Sequence, residues 1–170
     1  MLLNNGLVIT LFILVATILA IGYGVFVKAQ RLPFSAEIGF SEQQWSFLRW
    51  WVKLALFAGI FLPIVLCVQT WGQPSSLAFW GSYLLVVAVQ IISERVFSQC
   101  LVPSVVVPIG FCYTGFRLWQ LLDGVTQLSL SLLTWVIFGC VVLFWIANFL
   151  MLITVAIPII YQGPSITSSH

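Results

Sequence analysis

The chain has 170 residues, 62% of them hydrophobic and 6% charged, against roughly 45–50% and about 25% in soluble domains. Six Lys or Arg and four Asp or Glu, a net charge of +2, cannot solvate a globular surface of this size. Nor can they form the basic face that nucleic-acid binding by phosphate neutralisation requires. A soluble enzyme, a disordered chain and a nucleic-acid binder are excluded, which leaves an all-α, polytopic integral membrane helix bundle in contact with membrane lipids.

Four to five hydrophobic segments are expected in one transmembrane domain. The first, residues 7–27, covers roughly 32 Å at 1.5 Å per residue and matches a hydrocarbon core of about 30 Å. No basic residue precedes it, and it is too long for a cleavable signal, so it reads as a retained anchor. Lys28, Gln30, Arg31 and Pro33 end it and open a polar loop over 28–44. Ser41 and Gln44 have the spacing of a capping box, with Phe40 and Trp45 placed as a hydrophobic staple. The second segment, 45–71, starts with Trp45, Arg49, Trp50, Trp51 and Lys53, the indoles and cations expected at headgroup depth. Pro63 inside it should bend the helix. After a short turn the third segment, 77–93, runs antiparallel and ends at Glu94 and Arg95.

The fourth segment, 101–116, holds Pro103, Pro108, Gly110 and Gly115 and is closed by Arg117, Gln120 and Asp123. Such a Pro/Gly-broken stretch either crosses with a kink or re-enters. The fifth, 128–157, is about 45 Å long and must tilt or emerge. Ser129, Ser131 and Thr134 place its start in the interface, and 161–170 reads as a tail. Lys28, Arg31, Arg49, Lys53 and Arg95 set the loop 28–44 on the cytoplasmic or stromal side, with the N-terminus outside. Re-entry would put Arg117 on that side too and let it meet Glu94 as a structural polar pair. A crossing would set the two a membrane thickness apart.

The cysteines Cys67, Cys100, Cys112 and Cys140 lie in or beside apolar runs without CxxC spacing, and the single histidine is His170. No metal site is expected. Gln69, Gln90 and Asn148, with Glu94, are the polar groups inside apolar runs, either interhelical hydrogen-bonders or ligands to a pigment or cation. Ala16, Ala20 and Gly24 form a small-residue stripe for helix packing. Eight tryptophans and fourteen phenylalanines could line a pocket for chlorophyll, carotenoid, quinone or lipid, or serve as interfacial belts. Paired aspartates, Ser with His, and HExxH are absent, so no catalytic residue and no enzyme activity are expected.

Gly59-Ile60-Phe61-Leu62-Pro63-Ile64, Gln90 with Glu94, Val107-Pro108, Tyr113, Arg117 and Asp123 together resemble a family of small plant and cyanobacterial membrane proteins carrying a domain of unknown function. The resemblance covers 59–123. Plant members look more basic at the counterpart of the fourth segment, which favours an interfacial or re-entrant element. It implies a photosynthetic organism and a thylakoid or cyanobacterial inner membrane, and it brings no known activity. The expected role is an auxiliary subunit or assembly factor of a larger photosynthetic membrane complex, with other integral membrane proteins as partners. The alternative is a transport-type protein binding a small solute, ion, lipid or pigment.

Overall fold

A computed structural model describes residues 2–128 and 131–161; Ser129 and the tail from 162 to His170 lie outside the described residues. Among the described residues, five stretches are long and apolar enough to cross a membrane, at 6–28, 42–69, 74–100, 103–126 and 132–160. They comprise α1 (Leu2–Lys28), α2 (Glu42–Leu56), α3 (Leu62–Gln69), α4 (Pro74–Cys100), α5 (Val106–Gln127), α6 (Leu132–Met151) and α7 (Ile157–Ile160). The chain is a polytopic membrane helix bundle.

The prolines explain why two spans are divided and one is not. Pro63 and Pro158 stand inside their spans and cannot donate to the carbonyl four residues back. In both places the helix widens into a π turn, Phe57–Phe61 joining α2 to α3 and Leu152–Ala156 joining α6 to α7. The N–H of Leu62 then reaches the carbonyl of Phe57, and that of Ile157 reaches Leu152. Pro108 falls in the first turn of α5, where a backbone N–H has no intrahelical acceptor anyway, so it leaves the helix intact. The break in the fourth segment therefore precedes the helix, in the short 3-10 turn Pro103–Val105.

Of the two forms open to the fourth segment, α5 has the length and apolarity of the crossing one. Its 22 residues cover about 33 Å and pack against α4 as an antiparallel hairpin, the most extensive helix pairing in the fold. The ends expected at residues 93 and 116 are corrected. Helix α4 continues to Cys100 and α5 to Gln127, so Glu94 and Arg117 are helix-interior residues. Polar residues that face protein do not end a membrane helix, although they lower its hydropathy.

The α4–α5 hairpin is the centre of the bundle: half of the apolar window of α5 is buried, against 22% for the first, second and fifth spans. Helix α1 lies on one side through Ile9, Ala16, Ala20 and Val27. A Cβ on Gly24 would stand 2.7 Å from the Leu101 side chain, so the small-residue stripe is the contact face. On the other side α3 and α6 enclose an aromatic core that includes Trp80, Tyr83, Phe138 and Trp145. Helix α2 has no buried residue and stands off the hairpin.

Helix ends are set locally. Ser41 and Gln44 form the capping box at the start of α2, and the Phe40 and Trp45 rings meet edge to face at 5.2 Å. Lys53 sits 4.8 Å over the exposed Trp50 ring, as expected of headgroup anchors. Helix α1 is closed by Gln30 at φ 53, a left-handed turn in which the Arg31 N–H reaches the Phe26 carbonyl, rather than by Pro33. The loop beyond it is pinned down. The Ser35 N–H donates to Ile160 (2.7 Å) and the Ser104 N–H donates to Ala36 (3.0 Å), while Phe34 pairs with Tyr161 in an isolated antiparallel bridge. The loop, the α4–α5 turn and the end of α7 thus share one end of the bundle. Reporters inserted at Gly39 and fused behind Tyr161 should mark the same side of the membrane; opposite sides would exclude five crossings.

Candidate functional site: a buried polar cluster beside a lateral groove

Spacings of three and four residues put polar groups on the inner faces of three helices: Tyr83, Gln90 and Glu94 on α4, Thr114 and Arg117 on α5, and Trp145 and Asn148 on α6. Arg117 is about 16 Å from either end of α5 and only 1% exposed. A cation at that depth requires compensation from protein. Its Nη2 donates to Gln90 Oε1, and Gln90 Nε2 in turn donates to Glu94 Oε1. The central carbon of the guanidinium lies 4.0 Å over the Trp145 ring centroid, and the Trp145 indole N–H donates to the Tyr83 hydroxyl at 2.6 Å.

A second set of bonds runs beside the first. Trp51 Nε1 donates to Asn148 Oδ1 (2.8 Å), and Asn148 Nδ2 donates to Thr114 Oγ1 (3.0 Å). Asn148 therefore ties α2 to α5 through α6. Because Glu94 and Arg117 are linked through the amide of Gln90, the expectation that a spanning fourth segment would part them by a membrane thickness is corrected. In an antiparallel hairpin, a residue several turns before the connection lies level with one several turns after it. Arg117 is accordingly neither an interfacial residue nor one on the far side.

The other expected positions fall differently. Gln69 is exposed at the far end of α3, where its Oε1 accepts a long 3.5 Å bond from Thr134. Gln90, Glu94 and Asn148 all hold bonds within the chain, so a pigment ligated there would displace one of them. Trp51, assigned by composition to headgroup depth, is half-buried in the Asn148 bridge, and Trp80 and Tyr83 are core residues. Thr114, Tyr83, Trp51 and Trp145 join the site without having been singled out for it. For Thr114, Tyr83 and Trp145, positions three or seven residues from Arg117, Gln90 and Asn148 were the available signal; Trp51, on another helix, offered none. The four cysteines are free thiols, and among the described residues no three His, Cys, Asp or Glu converge.

Because α2 stands off, a groove opens along it. The inner stretch, about 290 Å³, is lined by Trp51, Ala55, Gln90, Glu94, Arg117 and Asn148 among others. A second stretch, about 250 Å³, is lined by Phe40, Trp45, Leu48, Val106 and Met151 among others and is almost wholly apolar. The two share Leu48, Val106, Met151 and Leu152, so they form one groove with a polar end deep in the bundle and an apolar end beside the loop. The inner wall is fixed by Gly59, where a Cβ would come within 2.6 Å of the Trp145 ring. The arrangement can hold a molecule with a hydrogen-bonding head and an apolar body. Comparison with known proteins adds no family: no family model, curated protein or solved structure matches the chain.

Two outcomes test this geometry. Gly59→Ala should push Trp145 off the guanidinium and lower stability by about 1–3 kcal/mol, read as thermal unfolding in detergent. Gly110→Ala, whose Cβ meets nothing closer than 3.7 Å, should be nearly neutral. Glu94→Leu should leave the Arg117 charge uncompensated and cost about 3–5 kcal/mol, while the double variant with Arg117→Met should recover most of the loss. No recovery in the double variant would mean that charge balance is not the role of Glu94.

Proposed function

We propose that this chain is a non-enzymatic integral membrane protein that serves a larger membrane complex as an auxiliary subunit or assembly factor. We place that complex in a photosynthetic membrane, thylakoid or cyanobacterial inner membrane, with the N-terminus outside and the loop 28–44 cytoplasmic or stromal. The observation that carries the reading is a division between interior and surface. Gln90, Glu94, Arg117 and Asn148 are engaged in joining helices, whereas three of the five spans bury only 22% of their apolar windows. Most of their surface is left to neighbours, lipid or protein. The photosynthetic assignment rests on the resemblance, whose polar residues Gln90, Glu94 and Arg117 are the ones that converge here. The orientation rests on Lys28, Arg31, Arg49 and Lys53 gathered towards one end.

A second reading, a membrane protein that binds a small solute, ion or lipid-like ligand, is favoured by the groove and its polar end. Affinity purification from native membranes in mild detergent tests the first reading. The tagged chain should bring down a stoichiometric membrane partner and run in a larger band on a native gel. A monodisperse free protein would overturn it.

A further inference from the structure

We propose that the groove along α2 binds a neutral, carbonyl-headed membrane amphiphile of the isoprenoid quinone class. Its ring carbonyl would accept the unused N–H of Arg117, and its apolar chain would lie towards Phe40 and Trp45. The proposal rests on the second reading above and adds the chemistry of the ligand.

Four features of the groove converge on this class. The first is an orphan donor: Arg117 lines the inner stretch, is 1% exposed, and its Nε–H has no hydrogen-bond partner among the described residues. Buried donors without acceptors are rare, and a guanidinium beside a cavity calls for an oxygen. The second is local charge. Glu94 lines the same stretch and is joined to Arg117 through Gln90, so the cation is already balanced. An anionic head would meet the Glu94 carboxylate, whereas a carbonyl gains the hydrogen bond without that repulsion. The third is ring surface: the half-buried Trp51 indole stands in the wall, and an aromatic side chain favours a flat, aromatic-sized head. The fourth is continuity. The inner stretch passes at Leu48, Val106, Met151 and Leu152 into a second one with almost no polar surface, suited to a hydrocarbon chain and to nothing charged. Access is lateral, because no residue of α2 is fully buried against the bundle, so a lipid-soluble molecule can enter from the bilayer.

The experiment uses the purified full chain in lipid nanodiscs, titrated with a decyl-substituted benzoquinone while tryptophan fluorescence is followed. Quenching should saturate, and decanoate or decylbenzene should compete poorly. Ala55→Phe, which fills the inner stretch without removing any side chain of the polar cluster, should weaken binding by about tenfold or more; Val52→Phe substitutes for it if that chain does not purify. Equal competition by decanoate would overturn the neutral head. Equal competition by decylbenzene would overturn the carbonyl contact yet leave the second reading standing. Quenching that rises linearly and is unchanged in the groove-filling variant would overturn both.

Discussion

A guanidinium halfway along a membrane helix is the constraint around which this bundle is organised. Arg117 cannot reach water from that depth, and its charge must be met by protein. One bond to Gln90, a carboxylate one step further at Glu94 and the face of Trp145 supply that environment, and they come from α4 and α6. Meeting the cation therefore fixes the register of three helices at once. The Asn148 bridge then extends the same set to α2. Such a cluster is not by itself a large source of stability, since a buried pair and an apolar isostere often come out even. Its effect is on uniqueness: apolar helices in lipid have many near-equivalent rotations, and few of them satisfy Arg117.

Hydrophobic periodicity and caps made much of the architecture legible. Five apolar stretches, the Ser41 capping box and the Ala16, Ala20, Gly24 face could all be read from residue spacing. The positions of Glu94 and Arg117 along their helices could not. A hydropathy reading takes each charge as a helix end, because it treats every residue as facing the bulk. Both residues face inward, so α4 runs on six residues beyond Glu94 and α5 ten beyond Arg117. The same limitation hid Trp51 and Trp145, because an indole in a tryptophan-rich membrane chain is first read as an interfacial anchor. Only the packing shows which rings turn inward.

Glycine and proline act together at the inner wall. Pro63 denies the Gly59 carbonyl its usual donor, the helix widens, and Gly59 at that widening lets the Trp145 ring lie against the backbone. Pro158 has the same effect near the other side of the groove, where Leu152 begins a π turn. The groove is thus bounded by two places where the regular helix is relaxed. Such widened turns are frequent at functional sites because they shift a helix face without ending it. Pro108 shows the reverse case, since the same residue type placed one turn from a helix start changes nothing in its course.

The clasp at the loop end has a bearing on biogenesis. Ser35 finds its acceptor at Ile160, a residue made long after it, so while the chain is being synthesised the loop N–H must be held by water. The first four spans can enter the bilayer and associate before that bond exists. This end of the bundle can close only once the fifth span has been made. A chain truncated within α6 would keep Arg117, Gln90 and Glu94 yet present an open loop to the aqueous phase.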